Sequence, residues 1–241
     1  MVKRYAARTS VRQPDMLTSP LLDLPAIVHG FGRRHDDMAQ LLPAYWPNRP
    51  VQHERHGTHI AIPTHANQDC GEADGMLTDR PGLLLAIATA DCVPVLLARR
   101  DGREVAALHV GWRGAHAGIV ERFAALVRER GGDPGDWIAA IGPAAHACCY
   151  EVSADLIESF HERTGLPRAT IAPAPRRLDL PAIVRWQLEQ AGVERVSARL
   201  DCTMCSRDGE GRFVYHSYRR DRETRTPVVD VQWSVITIAQ T

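Results

Sequence analysis

Leu83-Leu-Leu-Ala-Ile-Ala-Thr-Ala-Asp-Cys-Val-Pro-Val-Leu-Leu-Ala-Arg-Arg-Asp-Gly-Arg-Glu-Val-Ala-Ala-Leu-His-Val-Gly-Trp-Arg-Gly114 is the stretch on which the reading of the fold turns. Its three apolar runs, Leu83 to Thr89, Val93 to Ala98 and Val105 to Val110, have the length and composition of strands. Arg100-Asp-Gly-Arg103 joins the second run to the third and has the chemistry of a hairpin turn. Pro94 has no N–H for a ladder, so a bulge, an edge or a strand end is expected there. Taking Asp101-Gly102 as a two-residue loop pairs Arg100 with Arg103 and sets Pro94 opposite His109. Cys92 then falls diagonal to His109 on the same face, with Cα atoms about 7–8 Å apart. A metal with ligand bonds of about 2.0–2.3 Å can bridge such a pair, and a nucleophile–base pair fits equally well. His109 ends its strand at a glycine turn, Gly111 to Gly114, that opens a helix. Strand-to-helix corners are where α/β proteins place chemistry. The N–H groups of that turn, with Arg113 beside them, favour an anion such as phosphate.

Outward from this centre, an amphipathic helix is expected from about Ala115 to Arg130, closed by Gly131-Gly132. Trp137 to Ile141 reads as a strand. Ser153 caps a helix to about Thr164 with Gly165 as its stop, and Asp179 caps another to about Ala191 with Gly192 as its stop. Val193 to Leu200 and Phe213 to Tyr218 read as strands, and Thr226 to Ile238 as a β-rich tail. Residues 1–28 read as an arm and an early strand, His29-Gly-Phe-Gly as the start of a loop, and Met38 to Leu42 as a short helix. Alternating helices and strands with hairpins among them imply an α/β (α+β) fold, with mixed β-sheets flanked by helices rather than one doubly wound parallel sheet. The expected organisation is a single domain over 1–241, with an N-terminal arm over 1–20 and a catalytic body over 21–241.

Composition narrows the function. The 241 residues carry 29 basic and 29 acidic side chains, without the basic excess that binding a phosphate backbone needs, so no nucleic-acid partner is expected. The first twenty residues lack an apolar h-region. The longest apolar run, Leu83 to Ala98, is interrupted by Asp91 and Pro94 and is too short to span a bilayer. A cytoplasmic protein without a membrane partner is expected, and the balanced charge is compatible with a monomer or a weak homodimer. In such a setting the six cysteines read as thiols, metal ligands or a nucleophile rather than disulfides. Cys202-Thr-Met-Cys205 has no second pair at zinc-ribbon spacing and reads as two buried or redox-sensitive thiols. Cys148 and Cys149 are expected near the pocket, and Cys70 has no evident role. Upstream, Gln52 to Ile60 holds His53, His56 and His59. His56-Gly57 is the best placed, since a glycine lets a loop approach closely, but spacing does not choose among the three.

The motifs His29-Gly-Phe, His56-Gly57, Ala73-Asp-Gly75, Thr89-Ala-Asp-Cys-Val-Pro94, His109-Val-Gly-Trp-Arg-Gly114, Ile141-Gly-Pro143, Cys149-Tyr-Glu-Val152, Asp201-Cys-Thr203 and Ser217-Tyr-Arg-Arg-Asp221 occur in that order. With them the chain resembles the multicopper polyphenol oxidase, or laccase-domain, family, whose bacterial members are described as purine nucleoside phosphorylases. The resemblance implies a cysteine-hydrolase-like fold and a zinc held by His56, Cys92 and His109. It also implies phosphorolysis of adenosine, inosine and 5′-methylthioadenosine, with adenosine deamination as a second activity. Multicopper oxidation is discounted, because the chain lacks the paired H-x-H motifs of a multicopper site, and Cu(2+) ranks behind Zn(2+). Around the metal, Asp91 is read as an orienting group or general base, or else as a turn cap. Arg113 with Arg219 or Arg220 is read as the phosphate clamp, and Asp74 as a turn residue. Three alternatives stand beside this reading: an amidohydrolase acting on amides or cell-wall peptide precursors, with Cys92 as nucleophile and His109 as base; a copper-dependent polyphenol oxidase; and a zinc-stabilised interaction module. The chain departs from the family at Glu54-Arg55, at Arg33 to Asp37 and at Thr224-Arg-Thr-Pro227, which leaves the substrate-contacting loops its own.

Overall fold

Val93 to Val110 folds as the sequence suggests, because nearly every side chain in its two strands has an apolar layer to face. In the computed structural model, which describes residues 15–224, 226 and 230–240, the strands are β1 Ile27–Phe31, β2 Val51–His53, β3 Ile60–Ala61, β4 Asp69–Glu72, β5 Gly75–Thr78, β6 Leu85–Thr89, β7 Val93–Arg99, β8 Val105–Val110, β9 Trp137–Ile141, β10 Arg195–Ala198 and β11 Gln232–Ile238. The helices are α1 Met38–Leu41, α2 Trp112–Ala117, α3 Ile119–Glu129, α4 Ala154–Thr164, α5 Arg168–Ile171 and α6 Leu180–Ala191. A six-stranded mixed sheet runs β10-β9-β7-β8-β5-β3, a three-stranded sheet runs β1-β11-β6, and β2 pairs with β4.

Period-two alternation divides β7 and β8 between two cores. Val93, Val95, Leu97, Ala106, Leu108 and Val110 face the helical layer, where Phe123, Ile183, Val184 and Leu188 meet them. Leu96, Ala98, Val105 and Ala107 face the opposite way, onto Phe31, Ile87 and Ile236 of the small sheet. A third layer, with Met38 and Leu42, covers the outside of that small sheet. Each fully buried aliphatic side chain stabilises this stack by about 1.5–3 kcal/mol. The β6–β7 connection, Ala90 to Cys92, is thus a crossover from one sheet to the other, and His109 lies at the far end of β8 beside it.

The register is the expected one: Pro94 pairs with His109. Pro94 is the second residue of β7, near the strand end that its missing N–H called for. The turn itself differs from the expected two-residue loop. Arg99 N–H bonds to Glu104 O at 2.9 Å and Gly102 N–H to Arg99 O at 2.8 Å, closing a four-residue loop. Gly102 takes φ +73°, and Arg100 gives its N–H to Asp136 O instead of pairing with Arg103.

Both capped helices stand where read, with Ser153 bonding Leu156 N–H and Asp179 bonding Ala182 N–H. Five further expectations need correction. His29-Gly-Phe31 is not a loop but part of β1, paired with β11 and wholly buried. The single helix expected over 115–130 begins earlier, at Trp112, and is divided by Gly118 at φ +95°. Phe213 to Tyr218 forms no strand and has only an isolated bridge from Phe213 to Arg207. The β-tail begins at Gln232 rather than Thr226, and the strand near Val193 to Leu200 shrinks to Arg195–Ala198. Residues 1–14 of the expected arm, and Arg225 and Pro227 of the departing segment, lie outside the described residues. Among the described residues no helix is long and apolar enough to cross a membrane.

Candidate functional site

Three chain segments meet at the end of β8. The first is the crossover. Asp91 sits at φ +94°, a conformation that costs an L-residue about 1–3 kcal/mol. Its carboxylate offsets this cost by accepting from Thr203 Oγ (2.7 Å), Ser217 Oγ (3.0 Å) and Arg219 N–H (2.7 Å). The turn so held presents Cys92. The second segment is the end of β8, which supplies buried His109. The third is the loop after β2, where His56 takes φ +61°.

The ligand atoms of His56, Cys92 and His109 lie within 4.8 Å of one another. The two imidazoles stand edge to face, with ring centroids 4.9 Å apart. Gly111 makes this closeness possible. A Cβ there would lie 2.5 Å from His56 Cδ2 and 3.2 Å from Cys92 Sγ. His53 and His59, which spacing had left as candidates, are outside the group.

Asp74, read from sequence as a turn residue, is the hub of the site. Its carboxylate accepts from His109 Nδ1 at 2.8 Å and from the N–H groups of Arg55, His56 and Gly57 at 3.1, 2.7 and 2.6 Å. Three successive N–H groups aimed at one anion form a nest, and the positive φ of His56 is what turns them inward. Burial alone would raise the Asp74 carboxyl, but His109 and the nest outweigh it and hold it at about 2. Asp74 therefore fixes the His109 tautomer and leaves Nε2 to face Cys92 and His56. That orienting role had been considered for Asp91, whose carboxylate instead ties the crossover to the 203 and 217–219 loops. The signal for Asp74 was the glycine after it and the His-Gly motif eighteen residues before it, but neither indicated that the two loops meet.

Electrostatics bind the group together. Burial raises the Cys92 thiol, yet His109 first and then His56 bring it down to about 7. Burial lowers His109, but Cys92, Asp74 and Glu54 together push it well above the ordinary imidazole value. Both shifts run in the direction that favours a thiolate on Cys92 and an imidazolium on His109. Glu54, at the family departure, has an oxygen 4.0 Å from His109 Nδ1. Burial raises its carboxyl, and its Oε1 accepts from Ala88 N–H at 3.0 Å.

The group opens into a cavity of about 390 Å³, within the range of small-molecule sites. Glu54, Trp112, Arg113, Tyr150, Tyr218 and Arg219 form its walls. The Arg113 guanidinium lies 4.5 Å above the Trp112 ring and that of Arg219 lies 5.3 Å from Tyr150. Arg220 is placed differently. Its guanidinium is held by Asp221 and by the carbonyls of Thr203 (2.8 Å) and Tyr215 (2.8 Å), away from the cavity wall. Cys148 and Cys149, expected near the pocket, are not among its lining residues.

A family model described as multi-copper polyphenol oxidoreductase laccase matches residues 35–234. The chain belongs to that family. Among its relatives, Escherichia coli (strain K12) purine nucleoside phosphorylase YfiH is 33% identical over 181 residues, covering 74% of this chain and 71% of that protein. Purine nucleoside phosphorylase SCO2081 of Streptomyces coelicolor is 35% identical over 171 residues, 70% and 68% of the two chains. The crystal structure of YlmD from Geobacillus stearothermophilus superposes with a TM-score of 0.78 at 26% identity, covering 92% of this chain and 94% of that one. The resemblance read from the motifs and the mixed α/β fold are thus both borne out. Among the described residues two groups of three or more His, Cys, Asp or Glu are close enough to share an ion, and neither holds more than two His.

Proposed function

We propose that this protein is a zinc-dependent purine nucleoside phosphorylase, with His56, Cys92 and His109 as the ligands of the ion. The reading is carried by the convergence of three metal-binding side chains on a cavity lined by two guanidiniums and three aromatic rings. Two imidazoles and a thiolate suit a borderline-soft divalent ion, and three protein ligands leave one position open. When bound, zinc supplies a Lewis acid at that position.

The rest is work for the chain. Phosphorolysis breaks the C1′–N9 bond of the nucleoside, joins C1′ to a phosphate oxygen and sends the purine away with a proton. Arg113 and Arg219 hold the phosphate by charge-assisted hydrogen bonds. Their seats against Trp112 and Tyr150 limit the freedom each loses on binding. Trp112, Tyr150 and Tyr218 offer faces for the flat base and the ribose. Glu54, in the cavity wall with its carboxyl raised by burial, is placed to exchange a proton with the departing purine. Asp74 holds His109 in the ligating tautomer throughout. Adenosine, inosine and 5′-methylthioadenosine are the proposed substrates, with adenosine deamination as a second activity of the same cavity.

The thiolate–imidazolium character of Cys92 and His109 favours a second reading, an amidohydrolase with Cys92 as nucleophile. His56 separates the two. As a ligand it is indispensable, whereas a Cys–His dyad keeps its nucleophile and base without it. Purified protein is assayed with a purine nucleoside, with and without inorganic phosphate, alongside metal analysis. Ribose 1-phosphate formed only with phosphate, and lost with the metal in His56→Ala, is the expected result. Full activity in metal-free protein or in His56→Ala would sink the zinc reading.

A further inference from the structure

Away from the pocket triad, four sulfurs converge. Cys148 and Cys149 follow β9, Cys202 and Cys205 follow β10, and all four sulfur atoms lie within 4.8 Å of one another. The Sγ atoms of Cys148 and Cys205 are 3.7 Å apart. That is too long for a disulfide, whose S–S distance is about 2.05 Å. It matches the edge of a tetrahedron around zinc, about 3.8 Å for Zn–S bonds of about 2.3 Å. We propose that Cys148, Cys149, Cys202 and Cys205 form a second metal site, a tetrathiolate that binds Zn(2+) as a structural ion.

Three features of the surroundings support this. Cys202 and Cys205 have the C-x-x-C spacing of structural zinc sites, and their turn is closed by Cys205 N–H and Ser206 N–H bonding to Cys202 O at 3.3 and 2.9 Å. The backbones of His146 and Met204 act to lower the Cys202 thiol, as donors to a thiolate would. Two guanidiniums grip the same loops, Arg177 on Cys149 O at 2.8 Å and Arg220 on Thr203 O at 2.8 Å. Four thiols release four protons as the dication enters, so the filled site carries two negative charges, and these arginines stand near it. Sequence could not suggest the site, because the second pair is the adjacent Cys148-Cys149 rather than another C-x-x-C.

The consequence is mechanical. The two loops are otherwise joined by the bridge between Ala144 and Cys202 and by a few backbone bonds. Tyr150, one residue beyond Cys149, lines the cavity, and Thr203, one residue beyond Cys202, bonds Asp91. A zinc here fixes two walls of the pocket to each other, and it does so whatever reaction the pocket performs.

The test uses the full chain carrying Cys92→Ser, which removes the only thiolate of the pocket triad and leaves the cluster intact. After metal removal under reducing conditions, cobalt(II) is expected to bind with the near-ultraviolet charge-transfer absorption of about four Co–S bonds. Adding Cys148→Ser and Cys205→Ser is expected to reduce that absorption by about half or more. A second reading alters no cluster residue: native mass spectrometry of Cys92→Ser purified without reductant, expected to show one retained zinc and all cluster thiols reduced. No thiolate–cobalt band in Cys92→Ser, or a mass short by the hydrogens of a disulfide, overturns the proposal.

Discussion

Asp74 shows how much one side chain can decide. Its ionised carboxylate satisfies three backbone donors and one imidazole, so replacing it leaves buried donors facing a poorer acceptor. The sign of its pH dependence follows from the lowered carboxyl. The stabilisation is fully present above the ordinary value of 3.8 and is lost as pH falls through about 2. Its size is about 2 kcal/mol. Asp74→Asn is therefore expected to lower unfolding stability by about 2 kcal/mol between pH 5 and 8, with the gap to the parent closing toward pH 2. Urea denaturation at stepped pH measures it. A gap that stays constant into acid would remove the charge from the account. Because Asp74 also orients His109, the same variant is expected to bind zinc about 10–100-fold more weakly.

At the scale of elements, the junction between β8 and α2 matters most. Gly111 caps α2 and leaves room for His56 and Cys92 beside it. In Gly111→Ala the new methyl meets the His56 ring, and that ring must move. Zinc affinity is expected to fall by at least about tenfold, while the helical circular dichroism stays near the parent's. Competition with a chromogenic chelator reads the affinity. Gly118 acts differently. It lies between α2 and α3, at φ +95°, where a Cβ would press Arg163 at 2.9 Å and touch no triad residue. Gly118→Ala is expected to cost about 1–2 kcal/mol of stability and leave zinc affinity unchanged. The two glycines, seven residues apart, should thus fail in different assays.

Across the whole molecule, the site depends on two sheets stacked face to face. Leu96 of β7 is fully buried between them, and β7 begins one residue after Cys92. Leu96→Ala leaves a cavity at that interface and is expected to cost about 2–5 kcal/mol, seen as a lower Tm. Loss of the stacking should also loosen the Ala90 to Cys92 crossover, so zinc affinity is expected to fall with stability. Undiminished affinity in a destabilised variant would show that the crossover is held by Asp91 and its loop partners alone.

Local chemistry explains what could be read without coordinates. The Asp-Gly turn and the two apolar runs set the register of β7 and β8, because a one-residue slip would have turned every buried side chain to the wrong face. Cys92 and His109 became neighbours from that register. Ser153, Gly165, Asp179 and Gly192 marked two helices, since caps act within a few residues of themselves. His56 entered only through the family motif, because no local rule connects a loop after β2 to the end of β8. The same limit hid Asp74 as the anchor of both histidines, Glu54 as a buried carboxyl beside them, and the meeting of Cys148-Cys149 with Cys202 and Cys205. His29-Gly-Phe31 looked like a loop because its partner strand, β11, lies some two hundred residues away. Local bonds and side-chain period are properties of adjacent residues. The donor sets, the cavity and the shifted acidities arise where segments distant in the chain converge, and only the packed sheets and helices bring those segments together.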